Sequence, residues 1–349
     1  MTIETNRLDI VSIQMLRGIA ASMVVFVHLE VQLKRLGYGS FDATWLGTGV
    51  DIFFVISGFI MWVSVERRPR MTPGEFFRNR IIRVVPLYWL VSAGVLSITF
   101  AAPQLLQTTV FSAPHALASF LFLPARHPVT GQFWPLLVPG WTLNYEMLFY
   151  LLFAAAIAGS GGSSRIRLVI VAALIAAVVL LGSALEGRID AMHFYANPIL
   201  FEFIAGITIG IVYVQRRVPS SFAWFAALAA GFFFLWFGQR FGVFTPITNL
   251  LGAAMVVSGA LFSPNLWVPG LKALGDASYS LYLTHVVTLS AWGQMWATGL
   301  QGLPAPLFVI SALIACVAGA LLCFRLVERP LTQGLKKYWV GPTERAPVA

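Results

Sequence analysis

The sequence predicts an all-α, polytopic integral membrane protein with about ten transmembrane helices and both termini in the cytoplasm. Hydrophobic residues make up 58% of its 349 residues and charged residues only 11%, whereas a soluble domain carries about 25% charged residues. The hydrophobic residues form runs of about 20, the length that crosses a bilayer as a helix. Basic residues are concentrated in alternate loops between these runs, and loops of that kind stay in the cytoplasm.

Ten hydrophobic runs are candidate spans, and no segment between them has room for a soluble domain. We therefore predict one membrane domain over residues 1–349, with a core at 10–330 and a cytoplasmic tail at 331–349. The longest interruption, residues 102–138, contains ALASFLFLP and is expected to hold a short re-entrant or interfacial segment. The spans centre on residues 10–29, 45–65, 82–101, 139–158, 167–185, 196–214, 221–238, 246–263, 277–297 and 305–324.

Two of these runs begin with informative local signals. The first run contains Arg17 and is not followed by a small-residue cleavage site, so it is predicted to remain as a span. The third run is preceded by a helix start, with Thr72 as the N-cap, Pro73 at the first helical position and Glu75 completing a capping box. Pro86 is expected to kink this helix.

Composition excludes several classes of function. The formal net charge is +9, but the basic residues lie in short loops and follow the topology, so no nucleic-acid partner is predicted. The two cysteines, Cys316 and Cys323, are seven residues apart in one hydrophobic run. That spacing is about 10 Å along a helix and is too long for a disulfide. Two cysteines also cannot build a structural zinc site, and no metal is predicted.

The first span carries two polar residues that are costly in a bilayer. Arg17 and His28 are eleven residues apart, which is about three whole helical turns and about 16 Å along the axis. Both side chains therefore project from one face of the helix at two depths. Ionisable residues inside the membrane usually mark a functional site.

One histidine and three carboxyl groups are predicted at a similar depth, in the outer part of the bilayer. The alternating helix directions place Asp51, Glu146 and Glu202 there together with His28. Carboxylates that face lipid are costly, so we expect these groups to converge on a shared protein interior.

The inner part of the bilayer is predicted to be basic. Arg80 and Arg83 are three residues apart and therefore neighbours on one helix face, where the third span enters from the cytoplasm. Two guanidinium groups on one face can bind a phosphate group. His285 is predicted at mid-depth on the ninth span.

Each of these residues also has a simpler interpretation. Arginines at cytoplasmic helix ends are common topology signals, and His28 or Glu146 can be an ordinary interfacial residue. His115, His127 and His193 are predicted to be solvated histidines of the outer loops. Only the joint pattern, with acids and His28 on one side and arginines on the other, points to a function.

The segments that carry these residues resemble the membrane acyltransferase-3 family. In order they are LRGIAASMVVFVHL, GVDIFFVISGF, FFRNRIIRVVPLYWL, WTLNYEMLFYLLF and LGDASYSLYLTHVV, followed by VERP. They extend from about residue 11 to about residue 330. WTLNYEMLFY and DIFFVISGFIMW are most similar to the branch that acetylates bacterial exopolysaccharides such as succinoglycan.

The resemblance implies a multi-pass enzyme of the bacterial inner membrane. It implies an acyl-CoA donor, usually acetyl-CoA, on the cytoplasmic side, a sugar hydroxyl as acceptor and no metal. The family residues that it carries over are Arg17, His28, Arg80 and Arg83, with weaker matches at Asp51, Glu146 and His285.

The sequence departs from the family before Glu146. Asn144 and Tyr145 occupy positions where many members have a Ser-Val or Ser-x pair, which leaves the nature of the acceptor open. These two residues share the predicted outer layer and, with Glu202, are the candidate substrate-binding residues.

Topology and resemblance together predict how the donor binds. Arg80 and Arg83 would bind a CoA phosphate at the inner end of the site, and the pantetheine arm would extend outward past Arg17. His285 is predicted to contribute to the same donor site.

His28 is the predicted catalytic residue, as the general base on the acceptor hydroxyl or as an acyl carrier. Glu146 or Asp51 would accept its other ring N–H and stabilise the imidazolium, as in a Ser-His-Asp triad.

Two other classes of function also fit a membrane protein with buried charges. A secondary transporter or a flippase for a polysaccharide precursor would carry polar residues at the midplane. A non-catalytic subunit of a polysaccharide-secretion complex would have no affinity for CoA. The predicted partners are an acyl-CoA, a saccharide and membrane lipid, and the oligomeric state is left open.

Overall fold

The structure is a computed structural model that describes residues 10–39, 41–101, 111–242, 244–264 and 267–340. The described residues form an all-α fold, and none of them lies in a β-strand. The last nine residues of the predicted tail, 341–349, lie outside the described residues.

The α-helices are joined by short loops and by a few tighter or wider helical turns. Two 3₁₀ turns lie at Thr44–Thr48 and Val138–Gly140, and a π-helical turn lies at Phe324–Glu328. In chain order the α-helices of the described residues are α1 (Val11–Arg35), α2 (Gly49–Glu66), α3 (Pro73–Ala101), α4 (Ala113–Phe120), α5 (Trp141–Gly159), α6 (Ser164–Ala184), α7 (Asp190–Tyr195), α8 (Leu200–Val214), α9 (Trp224–Phe241), α10 (Thr245–Phe262), α11 (Pro269–Asp276), α12 (Ser278–Gly299), α13 (Ala305–Cys323) and α14 (Arg329–Val340).

Each of the ten predicted spans coincides with one of these helices. Within the described part of the chain, eight helical stretches are long and apolar enough to cross a membrane, judged by length and composition. Helices α9 and α12 also lie at predicted spans but are not among those eight. The chain is therefore a multi-pass membrane protein, while the count of ten spans and the cytoplasmic termini remain predictions.

The helices group into two compact units, each built from two separate segments of the chain. Unit 1 consists of Met1–Met71 and Ala155–Ser278, and unit 2 of Thr72–Ala154 and Tyr279–Ala349. The described helices of unit 1 are α1, α2 and α6 to α11, and those of unit 2 are α3, α4, α5, α12, α13 and α14.

In unit 1, α2 and α8 are in backbone contact because each contributes a glycine to the interface. A Cβ at Gly58 would lie 2.1 Å from Phe203 O, and a Cβ at Gly206 would lie 2.0 Å from Val55 O. Gly210, further along α8, meets Trp62, further along α2. The two helices therefore run parallel, as the predicted alternation of spans requires. Small residues at such crossings are typical of helix packing in membranes.

A buried ion pair connects α2 to α6 at the other end of unit 1. Arg167 Nη1 lies 2.7 Å from Glu66 Oε1, and Ser164 Oγ donates to the same carboxylate oxygen over 2.7 Å. The Arg167 guanidinium also lies over the Trp62 ring, 5.5 Å from its centroid. The start of α6 is thus held against the end of α2 by charge as well as by packing.

In unit 2, α3 begins with the predicted capping box. The Thr72 backbone N–H donates to Glu75 Oε2 over 2.7 Å, and the Glu75 N–H donates to Thr72 Oγ1 over 3.2 Å. Both bonds satisfy backbone donors that the first helical turn leaves open. This prediction is confirmed, and it fixes the first turn of the helix that carries Arg80 and Arg83.

A short helix, α4, occupies the predicted ALASFLFLP segment and packs against α3. The Tyr88 hydroxyl donates to Ser119 O over 3.0 Å, and Trp89 Nε1 donates to Phe120 O over 2.8 Å. These two bonds satisfy carbonyls at the end of α4 that have no partner within the helix.

Helix α12 is connected by tyrosines to the start of α5 and to α3. The Tyr282 hydroxyl lies 2.9 Å from Thr142 Oγ1 and donates to Pro139 O over 3.2 Å. The Tyr279 hydroxyl donates to Val84 O over 2.7 Å. The polar residues of α5 and α12 are therefore held within unit 2.

Candidate active site

The predicted site residues fall in both units, and each group is defined within its own unit. Arg17, His28, Asp51 and Glu202 belong to unit 1. Arg80, Arg83, Asn144, Tyr145, Glu146 and His285 belong to unit 2.

The cationic group of unit 2 is held between aromatic rings. The Arg80 guanidinium lies 5.4 Å from the centroid of the Phe76 ring and 6.0 Å from that of Tyr150. A cation at this distance from an aromatic face is attracted by the negative charge density of the ring. Arg80 is half-buried, whereas Arg83, one turn further along α3, is exposed.

Glu146 interacts with this cationic group. Its Oε1 accepts a hydrogen bond from the Tyr150 hydroxyl, and its charge acts on Arg80 together with that of Arg83. Acid, phenol and guanidinium therefore form one cluster within unit 2. The depth of Glu146 in the bilayer, which the sequence places in the outer layer with His28, stays a prediction.

Asn144 and Tyr145 lie on the same helix and are both buried, each 2% exposed. The Tyr145 ring meets the Trp141 ring edge to face, with centroids 6.1 Å apart. Asn144 Oδ1 is buried and has no hydrogen-bond partner within the described part of the chain. A buried amide oxygen without a donor is costly, so this atom fits a position where a ligand supplies an N–H or an O–H.

His285, the predicted third donor-binding residue of unit 2, is completely buried. Its Nδ1 lies 3.0 Å from Leu281 O, one turn earlier on α12. Because a carbonyl oxygen only accepts, Nδ1 carries the hydrogen and the lone pair is on Nε2. Its ring lies 6.1 Å from that of Tyr282.

His28 of unit 1 has the same arrangement on α1. Its Nδ1 lies 3.0 Å from Val24 O, again one turn earlier on the helix. The bond places the hydrogen on Nδ1 and the lone pair on Nε2, as a base acting through Nε2 requires. In the structure a backbone carbonyl, rather than a carboxylate, therefore fixes the tautomer of this ring.

Arg17 is held by a serine at the start of α12. Arg17 Nε donates to Ser278 Oγ over 3.1 Å. Near it, α1 and α11 approach closely, since a Cβ at Gly18 would lie 3.0 Å from Leu271 O and from Gly275 N. The guanidinium is thus fixed on one side at a tightly packed helix crossing.

Asp51 and Glu202 meet, as the prediction of a shared interior requires. Their side chains are hydrogen-bonded to each other, and Asn249 Nδ2 donates to Asp51 Oδ1 over 2.9 Å. Gln239 Nε2 in turn donates to Asn249 Oδ1 over 3.3 Å. The two carboxyls are therefore part of a polar network enclosed by α2, α8, α9 and α10.

Sequence reasoning did not identify four polar residues of these groups: Tyr150, Gln239, Asn249 and Ser278. Tyr150 follows Glu146 by four residues, the spacing that brings side chains together on a helix. The sequence therefore contained a signal for the Glu146–Tyr150 contact. Asn249, a polar residue in an apolar run, gives a weaker signal of the same kind. No pattern in the sequence indicates that Ser278 contacts Arg17.

Two histidines between α3 and α5, His115 in α4 and His127 in the loop that follows it, are not solvated, contrary to the prediction. His115 and His127 are 4% and 3% exposed, and their ring centroids are 5.3 Å apart. His127 Nδ1 accepts the backbone N–H groups of Val129 and Thr130, each over 3.3 Å. Burial, together with the neighbouring His115 ring, lowers the pKa of His127. For His193, which is exposed beside Glu186, the prediction is confirmed.

The multi-pass helical fold and the order of the polar segments along the chain are those expected of a membrane acyltransferase. The chain belongs to this family, because the profile described as "Acyltransferase domain" matches residues 10–325. The chain is 39% identical to the exopolysaccharide production protein ExoZ of Rhizobium meliloti (strain 1021) over 293 residues, which cover 81% of this chain and 88% of that protein.

More distant relatives have other names and lengths. The O-acetyltransferase OatA of Staphylococcus aureus (strain MRSA252) is 23% identical over 96% of this chain, and the match spans 59% of that longer protein. The acyltransferase MdmB of Streptomyces mycarofaciens is 26% identical over 90% of this chain and 91% of that protein. No solved structure matches the chain.

Proposed function

We propose that this acyltransferase transfers an acyl group, and specifically acetyl, from cytoplasmic acyl-CoA to a sugar hydroxyl. The sugar belongs to an exopolysaccharide or to its lipid-linked precursor, and the reaction takes place in the bacterial inner membrane. Support for the acceptor comes from the similarity to a relative named for exopolysaccharide production. Support for acetyl comes from the relative named as an O-acetyltransferase.

The observation that carries the proposal is the tautomer of His28. With its hydrogen on Nδ1 and donated to Val24 O, the ring presents the Nε2 lone pair to a reactant. In the proposed step Nε2 takes the proton of the acceptor hydroxyl, and the hydroxyl oxygen attacks the thioester carbonyl. The C–S bond then breaks, and the imidazolium returns its proton to the departing CoA thiolate. Charge and atoms balance without a further reactant.

An acetyl-histidine intermediate is the second route through the same atom. In that route Nε2 attacks the thioester first, CoA leaves, and the sugar hydroxyl then attacks the acetyl-imidazole. The two routes differ in an observable way, because only the second leaves labelled acetyl on the protein when the acceptor is omitted.

Donor binding is assigned to the arginines and to His285. Arg80, held between two rings, and the exposed Arg83 bind a CoA phosphate, for which paired guanidinium groups are suited. Arg17 contacts the donor further along its length. Interaction of Glu146 with Arg80 restrains the guanidinium before the donor arrives.

Binding of the acceptor sugar is assigned to Asn144 and Tyr145, which precede Glu146 in the chain, and to Glu202, which lies beside Asp51. Asn144, whose Oδ1 has no partner among the described residues, accepts a hydrogen bond from a sugar hydroxyl, and Tyr145 and Glu202 are further acceptor-binding candidates. Asp51, which lies in the same unit as His28, is proposed to stabilise the imidazolium through electrostatic attraction.

The test uses purified protein in proteoliposomes with acetyl-labelled acetyl-CoA and an oligosaccharide. The proposal predicts labelled ester and free CoA in equal amounts, both dependent on protein and acceptor. A flippase or transporter would move the saccharide without consuming acetyl-CoA, and a non-catalytic subunit would neither bind CoA nor form ester. Either result would refute acyl transfer by this chain.

A further inference from the structure

The Asp51–Glu202 pair has features that the proposed acyl transfer does not use. Asp51 lies in the first turn of α2 and Glu202 in the first turn of α8. They are only 7% and 2% exposed. Helices α2 and α8 are in close backbone contact at Gly58 and Gly206, further along the same two helices.

The partners of the pair account for three of its four oxygens at most. One Asp51 oxygen accepts the Asn249 amide N–H, and the carboxyls hydrogen-bond to each other. Glu202 Oε2 is buried and has no hydrogen-bond partner among the residues that the structure describes. An orphan oxygen on so deeply buried a carboxyl needs a physical explanation.

No basic group compensates the pair among the described residues. Of the helices that pack against α2 and α8, α10 carries no ionisable residue. The other two helices, α1 and α6, do carry ionisable side chains. Within the part of the chain that the structure describes, neither carboxyl forms an ion pair or a hydrogen bond with any of them. Those side chains are Arg17, His28, Glu30, Lys34 and Arg35 on α1, and Arg165 and Arg167 on α6.

Hydrogen-bond chemistry then specifies the protonation state. An ionised carboxylate has acceptors only, so two carboxylates cannot hydrogen-bond to each other. One of the pair must carry a proton. Asp51 receives an N–H from Asn249 and suits the ionised form, whereas the unpartnered Oε2 suits the carbonyl oxygen of a neutral Glu202, because an orphan oxygen costs less when it is uncharged.

We propose that the Asp51–Glu202 pair is a proton-binding site, with one proton held in the folded protein on Glu202 and donated to Asp51, and that this protonated pair joins α2 to α8 and α10. The site is distinct from the donor and base residues, and it does not depend on the chain being an acyltransferase.

The first test is the pH dependence of thermal unfolding in detergent. The folded protein holds a proton that the unfolded chain, with both carboxyls ionised, does not. The folding equilibrium constant therefore falls as pH rises. The fall is about tenfold per pH unit when the folded state holds one whole proton more than the unfolded state. We expect Glu202→Gln and Asp51→Asn to lose this slope, because an amide N–H can replace the acid O–H. Glu30→Gln, which removes the carboxyl group paired with Lys34, should keep the slope.

The second test reads the proton directly and does not require a mutant that folds. Infrared spectra of the wild-type protein at neutral pH should show a carboxylic acid C=O band that shifts in D₂O and vanishes at alkaline pH. Where Glu202→Gln folds, its spectrum should lack that band. A slope lost in Glu202→Gln but kept in Asp51→Asn would overturn the shared proton. Stabilisation of the wild type by sodium or potassium ions, in place of a pH slope, would instead identify an alkali-cation site.

Discussion

The Tyr150 hydroxyl donates a hydrogen bond to Glu146 Oε1, one helical turn earlier on α5. The same phenol ring lies 6.0 Å from the Arg80 guanidinium. Tyr150 thus contacts both the Glu146 carboxylate and the arginine that we assign to donor binding.

Replacing Tyr150 by Phe tests this positioning role. The ring and its contact with Arg80 remain, but Glu146 loses the O–H donor that helps to position it beside Arg80, so the guanidinium is expected to be less well placed for the donor phosphate. We expect the KM for acyl-CoA to rise roughly threefold to tenfold, equivalent to ~1 kcal/mol, with little change in kcat. Initial rates at varied acetyl-CoA measure both constants. An unchanged KM would remove Tyr150 from donor binding.

Replacing His28 by Gln tests the base. Gln keeps a polar side chain of similar length but cannot take up a proton, so we expect kcat to fall by roughly 10²- to 10⁴-fold. Affinity for CoA, measured by calorimetry, should stay the same, because donor binding is assigned to other residues. His193→Gln, at an exposed histidine, is the matched control and should retain full activity. Normal transfer by His28→Gln would exclude both the base and the acetyl-histidine routes.

Replacing Arg80 or Arg83 by Ala tests phosphate binding. Arg80 is half-buried between rings, whereas Arg83 is exposed and its charge is screened by solvent. We therefore expect the Kd for CoA to rise roughly 10- to 100-fold for Arg80→Ala and less for Arg83→Ala. The exposed Arg70, on the loop before α3, provides the control. Equal and small effects at all three positions would indicate that these arginines serve topology alone.

The loop around His127 should lose stability in acid. The folded-state pKa of this histidine is lowered from the ordinary value of 6.5, so the unfolded loop binds more protons than the folded one. Stability is therefore present above that ordinary value and is lost as pH falls below it. Protonation of Nδ1 also removes the acceptor of the Val129 and Thr130 N–H groups.

Hydrogen exchange of those two amides, corrected for the intrinsic effect of pH, measures this loss. We expect their protection to decrease between about pH 7 and about pH 5. In His127→Asn the side-chain oxygen can accept the same N–H groups without titrating, so protection should be independent of pH. A wild-type loop equally protected at both values would contradict the prediction.

The Glu66–Arg167 ion pair should behave as a buried pair. Arg167 is 4% exposed, so Glu66→Ala leaves a buried cation without its carboxylate and is expected to destabilise the protein by about 3 kcal/mol. The double variant Glu66→Ala with Arg167→Met removes the stranded charge and should recover most of that loss. Thermal unfolding in detergent distinguishes the variants. A double variant as unstable as the single one would show that packing, rather than charge, holds α6 to α2.

Sequence reasoning located the helices and their starts because those depend on local physics. A run of about 20 apolar residues in a bilayer must satisfy its own backbone groups, which a helix does. The capping box at Thr72 and Glu75 depends only on neighbouring residues, and it is present. The segment before α5 was misjudged at His115 and His127, since a loop can bury its polar groups through contacts that periodicity does not reveal.

The sequence by itself determined the membrane class and the order of the helices. Only the tertiary structure decided which polar groups are partners: Asp51 with Glu202 and Asn249, Glu146 with Tyr150 and Arg80, and Arg17 with Ser278. The reason is that helical spacing specifies depth along an axis and the face of one helix, but not which helix lies opposite. That choice depends on close packing at a few small residues, such as Gly58 and Gly206.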